Sequence, residues 1–143
     1  MALEQQESLG FLLADISRLM RQTYQRIEGC GLTLAQARLL LYVARFEGVR
    51  QIDLAEMLEV KPITLARLID QLVEVDLVER RPDPNDRRAH QIFLRPAAGD
   101  HLTKIRQFGA EVQSEALAGL NQEQVATLFF ALKTMRENLC SRS

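Results

Sequence analysis

The densest charge in the chain lies between residues 80 and 95, where Arg80, Arg81, Arg87, Arg88 and Arg95 are set against only Asp83 and Asp86. Arg87 and Arg88 directly follow Asp83-Pro84-Asn85-Asp86, a run of turn-forming residues. Guanidinium groups carried at a turn tip suit the narrow, electronegative minor groove of duplex DNA. Asp86 is placed to hold a neighbouring arginine through a bidentate pair. The plainer alternative is a solvated surface turn with incidental arginines. A second polar set, Pro62, Thr64 and Arg67, lies upstream on a segment with helical periodicity. Arginine can bond guanine O6 and N7, and threonine can bond a phosphate or touch a thymine methyl. The competing role for Arg67 is a bond to Asp70 or Gln71 on its own helix.

Other chemistries find little support. His90 and His101 are the only histidines, and neither has a Cys, Ser or carboxylate at a spacing that suggests a triad or a metal site. Neither a Gly-rich phosphate loop nor an HExxH helix occurs. No catalytic residue, metal or cofactor is therefore expected, and the chain reads as a non-enzyme. Cys30 and Cys140 stand 110 positions apart without CxxC spacing, which argues against a disulfide framework or zinc site. Cys30, in Gly29-Cys30-Gly31, has no adjoining basic residue to activate it.

The elements that would position these residues follow from periodicity. Leu9, Leu12, Leu13, Ile16, Leu19, Met20 and Ile27 recur at three- and four-residue steps and predict a helix over 9–27, stopped by Gly29 and Gly31. Thr33-Leu34-Ala35-Gln36 is a capping-box pattern opening a helix to about Glu47. Gln51 to Leu58 makes a short helix, and Pro62 fits the first turn of another that runs to about Val75. Then the period changes: Arg80-Arg81-Pro82 and Gln91-Ile92-Phe93-Leu94 flank the Pro/Asn/Asp cluster as a hairpin. Helical spacing returns at Leu102, Ile105, Phe108, Val112, Leu117 and Leu120. Asn121, with Gln124 three residues on, caps a last helix carrying Val125, Leu128, Phe129, Leu132, Met135 and Leu139.

Net charge over the 143 residues is −1, with 47% hydrophobic residues and no Trp. Residues 1–47 hold five basic and five acidic side chains, as do residues 96–143. Cationic excess is thus confined to 80–95, and distribution matters more than the sum. The near-neutral total keeps a protein-binding module open as a rival. No apolar run reaches the roughly 18 residues a bilayer span requires, and the acidic N-terminus is unlike a signal peptide. A cytoplasmic location is expected. The first and last two helices flank the central unit with apolar stripes too thin to bury themselves, so a homodimer is the simplest remedy.

Residues 51–70 fit a helix-turn-helix mask: Leu54, Ala55 and Leu58 point inward, Val60 fills the turn, and Leu65 and Leu68 line the second helix. Glu59 stands where the turn usually has glycine. The mask alone also fits an ordinary helical hairpin; a basic β-hairpin after it makes the arrangement a winged helix. Here the chain resembles the MarR family. Gln51-Ile52-Asp53-Leu54-Ala55-Glu56-Met57-Leu58 is similar to its Q-x-x-L-A-x-x-L helix, Asp83-Pro84-Asn85-Asp86-Arg87-Arg88 to its D-x-x-D-x-R wing signature, and Leu77-Val78-Glu79-Arg80 to the segment entering the wing. The likeness spans about residues 9–140 and is nearest the SlyA-type branch over Pro62–Leu72. Departures are Asp76 for a helix-closing glycine, Arg95 for a capping threonine and Ala98 for glycine.

The resemblance implies a mainly α fold with a small β-hairpin wing. Residues 31–96 would form the DNA-binding domain, and residues 1–30 with 97–143 the dimerisation helices. It further implies Arg88 in the minor groove, oriented by Asp86, beside Arg87, with Pro62, Thr64 and Arg67 at the major groove of an imperfect palindrome. Family members often bind small phenolic or aromatic carboxylate effectors, for which Arg18 would be an anion partner and Tyr42 a wall. The ordinary alternatives are a solvated charge for Arg18 and core packing for Tyr42.

Overall fold

The computed structural model describes residues 7–25 and 31–142. Chain order is α1 (Leu9–Gln25), α2 (Leu34–Arg45), α3 (Gln51–Met57), α4 (Pro62–Glu74), β1 (Val78–Asp83), β2 (Asp86–Leu94), α5 (Ala98–Ala116) and α6 (Gln122–Cys140). This is the mainly helical arrangement with a single hairpin that the periodicity predicts. The expected extension of α1 to Ile27, and Cys30, lie outside the described residues. The chain divides into two compact units, one running through Gly109 and one from Ala110.

The first unit is built on one apolar cluster. α2 contributes Ala37, Leu39, Leu40 and Val43; α3 and its end give Leu54, Ala55 and Leu58; α4 gives Leu65, Ile69 and Leu72. Leu77, Val78 and Ile92 close it from the hairpin side, and Ala98, Leu102 and Ile105 from α5. Burial of this many aliphatic side chains is the dominant stabilising term. Ala55, at 3% exposure, is small where α3 and α4 cross closely.

Local capping sets the helix ends. The Thr33 hydroxyl accepts from the Gln36 N–H at 3.2 Å, and Gln36 Oε1 accepts from the Thr33 N–H at 3.0 Å, the reciprocal box its spacing predicts. α3 and α4 both stop in the same backbone motif. Val60 N–H donates to the Ala55 carbonyl and Glu59 N–H to that of Glu56; Leu77 N–H likewise donates to Leu72 and Asp76 N–H to Val73. Each is a Schellman end, which demands a left-handed residue. Glu59 (φ 55°) and Asp76 (φ 60°) supply it. The two glycine replacements therefore keep the glycine conformation and carry its steric cost.

α5 begins at Ala98. The Arg95 carbonyl accepts from Ala98 N–H at 3.0 Å, and Ala98 is 1% exposed, which leaves room for little more than a methyl group. The hairpin pairs Val78 with Leu94 and Arg80 with Ile92, then slips between Pro82 and Asp83 so that Asp83 meets Asp86. On the other edge of β2, Gly48 N–H donates to Ile92 and Ile92 N–H to Val49, both at 2.9 Å, and Arg50 bridges Gln91. The segment entering α3 is thereby stitched to the wing.

α1 buries none of its residues completely. Tyr24 packs edge-on to Phe108 with ring centroids 6.2 Å apart, whereas Leu9, Phe11, Leu12, Leu13, Ile16 and Leu19 stay exposed. In the second unit, α6 opens with the predicted Asn121/Gln124 box at 2.9 and 3.0 Å. It too buries no residue, leaving Leu128, Phe129, Phe130 and Leu139 exposed.

Candidate nucleic-acid interface

α3, the four-residue turn and α4 form the helix-turn-helix, and the hairpin follows as the wing. α4 opens at Pro62, whose ring occupies a first-turn position where no N–H is needed. Its buried stripe, Leu65, Ile69 and Leu72, turns the opposite side outward. Arg67 is exposed there and Thr64 half-buried. The local partners weighed for Arg67 are engaged elsewhere: Asp70 Oδ1 accepts from Arg80 Nη1 at 2.6 Å, and Gln71 Oε1 accepts from Gln36 Nε2 at 2.9 Å.

A cleft of about 250 Å³ lies between the wing and the start of the two helices, lined by Arg50, Gln51, Ile52, Pro62, Asp86, Arg88, Ala89 and His90. Three residues singled out from the sequence, Pro62, Asp86 and Arg88, thus meet at one place. Asp86 acts on Arg88 differently from a bidentate pair. Its Oδ1 accepts the backbone N–H of Arg88 at 3.0 Å, a two-residue Asx contact that shapes the tip and leaves the guanidinium free. Arg87 and Arg88 are both exposed.

The five arginines of the basic stretch do not share one role. Arg80 is a clamp: Nε donates to Gln51 Oε1 at 2.9 Å, Nη2 to the Ala66 carbonyl at 3.1 Å, and Nη1 meets Asp70. It ties the wing strand to both helices of the helix-turn-helix. Arg81 lies over the Phe93 ring, 3.9 Å from its centroid, and pairs with Glu79. Arg95 meets the other Glu79 oxygen at 3.1 Å. The bonds from Arg81 and then Arg95 hold the Glu79 carboxyl below the usual carboxylate range. Only Arg87 and Arg88 remain uncommitted within the stretch.

The wing tip has a second anchor. Asp83, 5% exposed, accepts the Asn85 N–H at 2.8 Å and Arg50 Nε at 2.7 Å. The Asn85 bond, helped by Arg50 and opposed by burial, lowers its pKa. Sequence reasoning missed Arg50 and Arg80 as positioning residues. Nothing local marks them, because their partners lie 10 to 33 positions away.

The two candidate effector residues have ordinary surroundings. Arg18 donates to Asp15 through Nε at 3.1 Å and Nη2 at 2.6 Å. Tyr42 is half-buried against the core and tilted on Phe46, with centroids 6.3 Å apart. Among the described residues, no group of side chains could hold a metal ion, and no helix is long and apolar enough to cross a membrane.

Comparison with known proteins agrees with this geometry. A family model described as MarR family matches residues 31–89. The multiple antibiotic resistance protein MarR of Escherichia coli K12 is 30% identical over 103 residues, spanning 71% of this chain and 72% of the relative. The structure of an E. coli MarR variant complexed with operator DNA is similar at a TM-score of 0.66 and 27% identity, covering 89% of this chain and 92% of that one. The transcriptional regulator SlyA shares the fold, at a TM-score of 0.75 and 23% identity over 95% of this chain and 96% of that one. With this sequence likeness, the helix-turn-helix and the wing, the chain belongs to the MarR family of transcription regulators.

Proposed function

We propose that the protein is a homodimer that binds double-stranded DNA sequence-specifically, with α4 in the major groove and the wing in the minor groove. The observation that carries this reading is the cleft that joins Pro62 at the head of α4 to Asp86 and Arg88 of the wing. Arg67, Arg87 and Arg88 are exposed beside it in sequence and committed to no ion pair among the described residues. Free guanidinium groups on a rigid scaffold match the phosphate-rich grooves of DNA. Pro62 and Thr64 would seat the helix, Arg67 would read a base, and Arg87 and Arg88 would enter the minor groove.

Dimerisation is supported by the apolar side chains that α1 and α6 leave exposed, Leu12, Leu19, Leu128 and Phe129 among them. Residues 1–30 and 97–143 would supply this layer and residues 31–96 the DNA-binding domain. Two recognition helices related by a two-fold would address half-sites about 10 base pairs apart, hence an imperfect palindrome. The SlyA-type assignment rests on the Pro62–Leu72 segment. A small aromatic or phenolic carboxylate acting at Arg18 and Tyr42 would have to displace Asp15 from Arg18.

Selection from a randomised duplex library, with light scattering of the free protein, tests the reading. A palindromic preference and a mass of twice 16.3 kDa are expected. An asymmetric site would remove the two-fold arrangement, and a monomer would remove the dimer. Affinity for random duplex should fall steeply with salt; a salt-insensitive or absent interaction would favour a protein-binding module.

A further inference from the structure

Ile63 has no structural reason to be where it is. At 79% exposure it is the most exposed large apolar side chain among the described residues. It occupies the second position of α4, outside the buried stripe of Leu65, Ile69 and Leu72. The positions that staple a helix start, N′ and N4, are Val60 and Leu65; Leu65 is in the core and Val60 packs half-buried against it. A first-turn carboxylate would favour the helix dipole, yet α4 has no acid there. An exposed β-branched residue contributes neither capping nor burial.

Its surroundings say what it can meet. Ile52, also exposed, and Pro62 line the cleft with Arg50 and Arg88. Lys61 precedes Ile63, and Arg67 follows one turn later on the same side. Ile63 directly follows Pro62 in the chain, so an exposed apolar side chain adjoins a cleft whose lining carries Arg50 and Arg88 as well as Asp86, a setting suited to a base edge under a phosphate rim. Among base edges in the major groove, only thymine offers an apolar group, its C5-methyl. We propose that Ile63 is a specificity-determining residue that packs on a thymine methyl in each half-site, an inference that rests on the DNA-binding reading above. The branched side chain has essentially one rotamer in a helix, so little freedom is lost on contact. Ile63 and Arg67 stand about 6 Å apart along the helix axis, so the thymine should lie within about two base pairs of the Arg67 contact.

The test uses the palindrome selected by the full-length protein. Each thymine of a half-site is replaced in turn by deoxyuridine, which removes only the methyl, and affinities are measured for wild type, Ile63→Ser and Ile63→Val. Wild type should lose about fourfold at one position, the effect of one buried methyl, and about fifteenfold when both half-sites are changed. Ile63→Ser should bind the thymine site weaker by at least that factor and be indifferent to deoxyuridine there; Ile63→Val should retain discrimination. Unchanged thermal melting would show that the variants fold. A wild type indifferent to deoxyuridine at every position, or an Ile63→Ser protein that still discriminates, overturns the inference while leaving DNA binding intact. Failure to select any duplex overturns both.

Discussion

Arg80 separates two kinds of basic residue that look alike in sequence, and replacing it tests the distinction. Arg80→Met removes one ion pair and two charge-assisted hydrogen bonds while keeping an apolar stem. Asp70 is 66% exposed, so the pair itself is worth about 0–1 kcal/mol after screening. The bonds to Gln51 and the Ala66 carbonyl are part-buried. Each is worth about 1–1.5 kcal/mol, since Gln51 can turn to water and the carbonyl keeps its helical bond. The expected total is about 2–4 kcal/mol, read by urea unfolding at fixed protein concentration. Operator affinity should fall about tenfold because the wing and α4 lose their mutual setting. The slope of log affinity against log salt should stay unchanged, because no phosphate contact has been removed. Arg80→Lys restores the charge without the planar fork, so it should rescue neither stability nor affinity. Wild-type stability in Arg80→Met, with a salt slope smaller by about one and rescue by lysine, would show that Arg80 is a phosphate contact and the clamp reasoning is wrong.

Further outcomes follow from the same geometry. Arg88→Ala should weaken operator and random duplex alike and reduce the salt slope by about one, with an unchanged melting curve. Because Asp86 holds the backbone N–H of Arg88, Asp86→Ala should still loosen the wing tip in an Arg88→Ala background, seen as faster amide exchange at that N–H. Arg67→Ala should cost on the order of 1–3 kcal/mol and relax preference at one base pair; an unaltered preference in library selection would exclude it as a reader. Asp76→Gly should stabilise the protein by about 0.5–1 kcal/mol, as relief of left-handed strain outweighs the glycine's unfolded-state entropy. Asp83 has a pKa lowered from 3.8, so its stabilisation is present above that value and lost as pH falls through the folded value. Asp83→Asn should therefore be less stable than wild type at neutral pH, with the gap closing in acid below 3.8; a gap constant with pH would mean that ionisation contributes nothing.

Much of the fold was legible because the signals are local. Thr33 with Gln36 and Asn121 with Gln124 are three residues apart, and the same spacing that reads as a capping box makes the hydrogen bonds. The hairpin followed from Pro84 and Asn85 between two runs of extended character, and its register slip falls at Asp83. Glycine replacements at Glu59 and Asp76 weakened the pattern without changing it. The backbone closes the same Schellman bonds, since a left-handed non-glycine residue costs only about 1–2 kcal/mol. The wing arginines and the exposed Arg67 were readable from residue type and helical phase.

Sequence by itself determined the order of elements, the apolar stripes, the helix caps and the basic turn, all of which rest on contacts within a turn or two of chain. It could not sort the arginines of 80–95, because a guanidinium's role depends on which oxygen comes within about 3 Å of it. Packing of the wing on α3 and α4 brings Gln51, Ala66 and Asp70 around Arg80, and Asp83 to Arg50. These groups are far apart along the chain and meet only in the folded unit. Tertiary structure alone thus left Arg87 and Arg88 free at the tip, and left Ile63 facing outward beyond the core stripe of its own helix.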